Sequence, residues 1–220
     1  MTGPMRVVAI DGPSGSGKST VAREVARRLR LDYLDTGAMY RAVTFAVLRR
    51  GLDPSDRDVV AALAPDVAIT VADGVTTVDG YDASVEIRGP EVTRAVSAVA
   101  ANPVVRNEMV QRQRDWIVAR GGGVVEGRDI GAVVWPDADV KVYLTARLEA
   151  RAERRHKEVE ALDYDSVAAD MATRDAMDSS RDASPLTEAP GSVVIDTTSQ
   201  SVDEVVAAVL ALLPSPSPPS

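Results

Sequence analysis

The chain has no cysteine and a single histidine, His156. That excludes disulfides, thiolate metal sites and cysteine nucleophiles, and it leaves too few ligands for a zinc centre or a Ser-His-Asp relay. His156 lies in a densely charged stretch and reads as a solvated helix residue. Lysine is scarce too: Lys18, Lys141 and Lys157 are the only ones, and every other basic side chain is arginine. Arginine's planar fork suits phosphate oxygens, although a GC-rich genome also raises arginine over lysine, so only position separates the two causes. No apolar run approaches the roughly 20 residues of a membrane span. Residues 1–5 lack the basic-then-apolar layout of a leader, so the expectation is a cytoplasmic protein. A net charge of −8 argues against nucleic-acid binding through bulk electrostatics. What is present, 45% hydrophobic and 26% charged residues in a chain of 220, supports one well-buried core with inserted lobes.

The most informative stretch is Gly12-Pro13-Ser14-Gly15-Ser16-Gly17-Lys18-Ser19-Thr20. It follows the apolar run Val7-Val8-Ala9-Ile10 and leads into Val21, Ala22, Val25, Ala26 and Leu29 at helical spacing. Strand, glycine-rich turn and helix form the context that a G-x-x-x-x-G-K-[ST] match requires. The glycines let backbone N–H groups converge on phosphate oxygens, and the helix N-terminus adds partial positive charge. Lys18 is placed to reach the β- and γ-phosphates of a nucleoside triphosphate, and the Ser19 hydroxyl to ligate Mg²⁺.

The rest alternates. A short strand at 31–35 precedes an apolar helix running to about residue 50, with Thr36 as the expected N-cap and Gly51 as the C-cap. A further short helix begins at Pro54 and Asp56. Segments 67–71, 75–78 and 83–87 are β-rich and separated by Asp73-Gly74 and Asp79-Gly80, which predicts a three-stranded antiparallel meander inserted into an α/β pattern. Helices are expected at 90–100 and 103–119, strands at 124–126 and 140–144, and polar helices at 147–160 and 166–180 around a loop at 161–165. A strand at 192–196 and a helix at 202–213 follow, and the Pro/Ser tail 214–220 is expected to be disordered. This alternation predicts a mostly parallel sheet with helices on both faces.

The arginines are placed, not merely abundant. Arg174, Asp178 and Arg181 share one helical face, as do Arg151, Arg154 and Arg155 on the preceding helix. Two such helices around a short loop have the layout of a lid over a polyphosphate, although a solvated, salt-bridged hairpin has the same pattern. Arg128-Asp129 follows the 124–126 strand at the carboxyl edge where doubly wound sheets bind ligands, and Tyr40-Arg41 lies one turn into the helix after Asp35. A phosphate monoester acceptor explains such a gathering. With a second pKa of about 6 its oxygen is already ionised, so no base is needed, only neutralisation of two repelling phosphates. A hydroxyl acceptor would need a carboxylate base, a role for Asp35 or Asp129.

With these residues in view, the chain resembles the bacterial cytidylate kinases of the nucleoside monophosphate kinase family. The resemblance rests on Ile10–Thr20, Leu34-Asp35-Thr36-Gly37-Ala38-Met39-Tyr40-Arg41, Val92–Ser97, Val104-Val105-Arg106, Val125–Gly131 and Arg174 through Arg181. It implies a P-loop kinase fold: a parallel five-stranded sheet flanked by helices, with an acceptor-binding, β-rich insert at about 36–100 and a lid at about 151–181, all in one domain over 1–213. It implies ATP as donor and Mg²⁺ as cofactor, with the phosphate loop, Arg151 and Arg155 on ATP and Lys18, Arg41, Arg128 and Arg174 at the phosphoryl group. Thr36, Tyr40, Ser97, Arg106, Asp129, Asp178 and Arg181 join those arginines on CMP or dCMP. Met177 and Ser179 stand where some members have arginines, and Asp182 adjoins Arg181. The implied protein is a monomer without nucleic-acid or membrane partners. A kinase for a small hydroxy acid shares the phosphate loop but has no use for the arginines or the insert. A nucleotide switch would need a guanine-reading N-K-x-D, and the chain has none.

Overall fold

The computed structural model describes residues 5–72, 74–158, 163–179, 186 and 188–213. The tail 214–220, Asp73, Arg181 and Asp182 lie outside them. The strand β1 (Arg6–Asp11) is buried along almost its whole length, as a strand covered on both faces must be. It is flanked by β6 (Gly122–Gly127) and β7 (Val140–Thr145); β2 (Tyr33–Asp35) and β8 (Val193–Asp196) complete a sheet of order β2-β6-β1-β7-β8. All four pairings are parallel. Alternation of side chains divides the core in two. Val7, Ala9, Leu34 and Val125 pack on α2 (Thr36–Arg49) and α5 (Pro103–Arg120), while Val8, Ile10, Val124, Val142 and Leu144 pack on α1 (Lys18–Leu29) and α8 (Val202–Ala211). The β6–β1 register sets Ile10 beside Glu126 and Asp11 beside Gly127, and β2 sets Asp35 beside Glu126. Three carboxylates thus reach one sheet edge, next to the strand where the order reverses.

Several local expectations shift. The N-cap of α2 is Asp35, whose side chain accepts from the Ala38 N–H at 3.0 Å, and not Thr36. The Thr36 hydroxyl is drawn instead to the Glu126 carbonyl of the neighbouring strand, at 2.7 Å. After α3 (Arg57–Leu63), the meander consists of β3 (Ile69–Ala72), β4 (Val75–Val78) and β5 (Tyr81–Asp82). The β4–β5 turn uses Asp79 and Gly80 at φ 51° and 79°, the left-handed pair that a two-residue hairpin requires. Residues 83–87 are not the third strand. Asp82 accepts from the Ser84 N–H at 3.0 Å and closes an Asx turn, after which Glu86–Arg88 forms a 3₁₀ turn with Ile87 buried. Small residues Ala38, Ala42 and Ala46 let α2 lie against this insert. α4 (Pro90–Ala100) then leads back to α5.

The charged helices are α6 (Leu148–Glu158) and α7 (Tyr164–Ser179), held together by Ala152, Val167 and Met171. His156 is half-buried with its ring edge-on to Tyr164 at 6.3 Å, so it is not a solvated residue. Among the described residues no helix is long and apolar enough to cross a membrane.

Candidate active site

The phosphate loop is held by what surrounds it. Gly12 has φ 144°, and a Cβ there would stand 2.0 Å from the Leu144 carbonyl oxygen of β7, so only glycine fits. Carbonyls along the outside of the loop are taken by other elements. Arg151 donates to Ser14 O at 3.1 Å, Arg154 to Gly15 O at 3.4 Å, and Thr197 Oγ1 to Ser16 O at 3.0 Å. Gly17, at φ 90°, leads into α1. Lys18 Nζ donates to Pro13 O at 2.7 Å, folded over the loop, and burial followed by repulsion from Arg128 pulls its pKa down to about 7. Ser19 Oγ donates to Glu126 Oε2 at 3.0 Å, and the Tyr33 hydroxyl donates to Glu126 Oε1. Burial, then the neighbouring Asp35, pushes the Glu126 carboxyl up.

On the other side of Lys18 a cavity of about 190 Å³ opens. Thr36, Tyr40, Arg41, Ser97, Arg106, Arg128, Asp129, Arg174 and Asp178 line it together with Ser14, Gly15, Lys18 and Ser19. Arg41 Nη1 donates to Ile87 O and Thr93 Oγ1, both at 3.0 Å; burial, then Arg174 and Arg155, lower its pKa to about 9. Burial, then Arg128, lowers Arg174 as well, and its Nε is buried with no hydrogen-bond partner among the described residues. Arg128 Nε donates to Asp178 Oδ2 at 2.9 Å; burial, the largest single influence, opposes its charge, but Asp178, Asp175 and Glu126 together outweigh it and the pKa rises. Such crowded guanidiniums are costly unless an anion joins them. At the far end Arg106 and Asp129 form a buried ion pair, with the Tyr40 ring 5.6 Å from the Arg106 guanidinium carbon. A second cavity, about 760 Å³, runs along the other side of the loop past Arg154, Arg155, Thr197 and Ser201.

Most residues singled out in the sequence therefore meet around the loop: Ser14 through Thr20 with Arg155 on one side, and the residues from Thr36 to Asp178 on the other. Arg151 does not line either of these cavities. Its Nε donates to Ala146 O at 2.9 Å and its Nη1 reaches Asp175 at 2.5 Å as well as Ser14 O, so it braces the loop from behind. Arg181 lies outside the described residues. The two carboxylates considered as bases are both committed, Asp129 to Arg106 and Asp35 to its cap and, at 3.5 Å, to Arg88.

Sequence reasoning assigned no role to Glu126, Tyr33, Asp11 or Arg88. Asp11 and Glu126 sit at or near the ends of apolar strands, a position that could have flagged them, since charge there faces the ligand crevice. Asp11 accepts from the N–H groups of Ile130 and Gly131 at 2.9 and 2.8 Å and so anchors the turn that begins after Arg128-Asp129. Burial is the main cause that raises its pKa to about 6.

Residues 8–215 match the family model described as cytidylate kinase. A cytidylate kinase of Nocardia farcinica is 50% identical over 208 residues, covering 91% of this chain and 90% of the relative. One from Rhodococcus opacus is 50% identical over 212 residues, covering 93% of each. A solved structure from Thermus thermophilus shares the fold, with a TM-score of 0.50 at 19% identity over 97% of this chain and 100% of that one. The chain belongs to the cytidylate kinase family.

Proposed function

We propose that the protein transfers the γ-phosphoryl group of ATP to the phosphate of CMP or dCMP. The observation that carries this reading is the convergence of Arg41, Arg128 and Arg174 on the cavity that Lys18 also lines. An oxygen of the acceptor phosphate forms the new bond to the γ-phosphorus as the bridging bond to the β-phosphate breaks, and ADP leaves. The acceptor oxygen is already ionised near neutral pH, so the arginines neutralise and position, and no base is required.

Each residue group has its part. The backbone of Gly12–Gly17 and Lys18 hold the β- and γ-phosphates; Arg155 approaches the donor from the lid helix, while Arg151 acts on it through Ser14. Arg41, Arg128 and Arg174 grip the acceptor phosphate beside Thr36 and Tyr40. Ser97, Arg106 and Asp129 face the base, pairing an acceptor with cytosine's amine and a donor with its carbonyl, an arrangement that uracil's carbonyl opposes. Arg181 is assigned to the base as well. Asp178 receives the ribose 2′-OH while holding Arg128.

The Ser19 hydroxyl and the Glu126 carboxylate, 3.0 Å apart, offer hard oxygen donors suited to Mg²⁺. No cluster of three or more His, Cys, Asp or Glu able to hold a metal occurs among the described residues. Bound there, Mg²⁺ would supply charge neutralisation for the triphosphate. The insert at 36–100 and the lid at 151–181 act as the lobes that close on substrate, in a cytoplasmic monomer.

ADP release with ATP and Mg²⁺ tests the reading on adding CMP, dCMP, UMP, AMP or shikimate. Turnover with CMP and dCMP is expected; turnover with shikimate alone would overturn it.

A further inference from the structure

The two cavities on either side of the phosphate loop share Ser14, Gly15, Lys18, Ser19 and Arg88. The first four belong to the loop and the start of α1. Arg88 alone in that set comes from elsewhere, at the end of the Glu86–Arg88 turn of the insert. The junction of the two cavities is where a phosphoryl group must pass from donor to acceptor. A side chain that borders both is in place to touch it in transit.

The way Arg88 is held suits a group that moves. Its side chain is 55% exposed, and its ion pair with Asp35 spans 3.5 Å, a loose and solvent-screened contact that costs little to break. Its backbone, by contrast, is well seated. Ile87 is fully buried, and the Ile87 carbonyl accepts from Arg41 at 3.0 Å. The guanidinium assigned to the acceptor phosphate is therefore bonded to the turn that carries Arg88.

We propose that Arg88 is a further catalytic residue, which leaves Asp35 and donates to the equatorial oxygens of the phosphoryl group as it passes between the bound nucleotides. The inference rests on the acceptor reading given above. Charge spreads over those oxygens in the transition state, so a cation there accelerates transfer without needing to strengthen either substrate's binding alone.

The test compares wild type, Arg88→Ala and Arg88→Lys in steady-state turnover, with calorimetric binding of CMP alone and of a non-hydrolysable ATP analogue alone. For Arg88→Ala the expected result is a fall in kcat of about 100-fold or more, with both separate affinities within about threefold of wild type. Arg88→Lys, which keeps the charge but not the fork, should fall between. The exposed side chain makes misfolding of these variants unexpected, and a thermal melt checks it. A kcat within about threefold of wild type in Arg88→Ala would overturn the proposal. So would a loss matched by an equal loss of CMP affinity, which would make Arg88 a binding residue only. Wild-type turnover keeps the two claims apart: if CMP is not phosphorylated the acceptor reading fails, and the comparison is run on whichever nucleoside monophosphate is.

Discussion

The buried pair Arg106–Asp129 lends itself to a quantitative test. Its side chains are 4% and 7% exposed, and it joins α5 to the turn after β6. Arg106→Met keeps most of the apolar stem but leaves the Asp129 carboxylate without its cation. Breaking a buried pair from one side costs about 3–5 kcal/mol, whereas replacing both charges with neutral groups is often nearly neutral. Asp129→Asn should cost a similar amount, because an amide oxygen can still accept from Arg106 but no longer neutralises a buried guanidinium whose Nε has no hydrogen-bond partner among the described residues. Against a typical total of about 5–15 kcal/mol, either single change is severe. The double variant Arg106→Met/Asp129→Asn should cost about 1–2 kcal/mol, giving a coupling energy of at least about 4 kcal/mol in the cycle. Urea denaturation of the four proteins at neutral pH measures this, and turnover of CMP should remain low in the double variant because the two groups proposed to face the base are gone. If the double variant loses as much stability as the two singles combined, the pair is not coupled and the account of this end of the cavity is wrong.

Three further outcomes are expected. Lys18→Ala should lower kcat by about 100-fold or more without lowering the melting temperature, since burial already works against that charge; undiminished turnover would remove Lys18 from the phosphoryl site. Asp178→Ala should reduce turnover of both CMP and dCMP by about tenfold or more, because Arg128 loses its 2.9 Å anchor, with a further loss for CMP from the 2′-OH; an unchanged rate on dCMP would show that Asp178 does not position Arg128. Asp11 has its pKa raised from 3.8 to about 6, so the stability it contributes is present below about 3.8 and lost as pH climbs through about 6. A shift of that size corresponds to roughly 3 kcal/mol, so the stability gap between wild type and Asp11→Asn should narrow by an amount of that order from pH 4 to pH 7. Parallel pH profiles in urea denaturation would contradict it.

The features legible in the chain were those written in local spacing. The apolar β1 run, the G-x-x-x-x-G-K-S turn and the α1 stripe meet within a few residues, so pattern was enough to place them. The Asp79-Gly80 hairpin was legible for the same reason, since its left-handed residues are set by the turn itself. Where a nearby side chain competed, pattern misled: Asp35 took the cap expected of Thr36, and the Asp82–Ser84 turn ended a strand that β-rich composition would have continued.

The sequence by itself determined the fold class and the phosphate-binding chemistry, because hydrophobic period and glycine placement act over a few residues. It also marked which arginines were out of the ordinary. Only the tertiary structure decided what each charge does. Tertiary packing brings Asp11 to the N–H groups of Ile130 and Gly131, Arg106 to Asp129, and Arg151 behind the phosphate loop, across separations of 119, 120, 23 and 137 residues. Those contacts depend on sheet order and helix packing, and no local spacing encodes them. The same assembly puts Arg88, an unremarkable residue in the sequence, where the two cavities on either side of the phosphate loop meet.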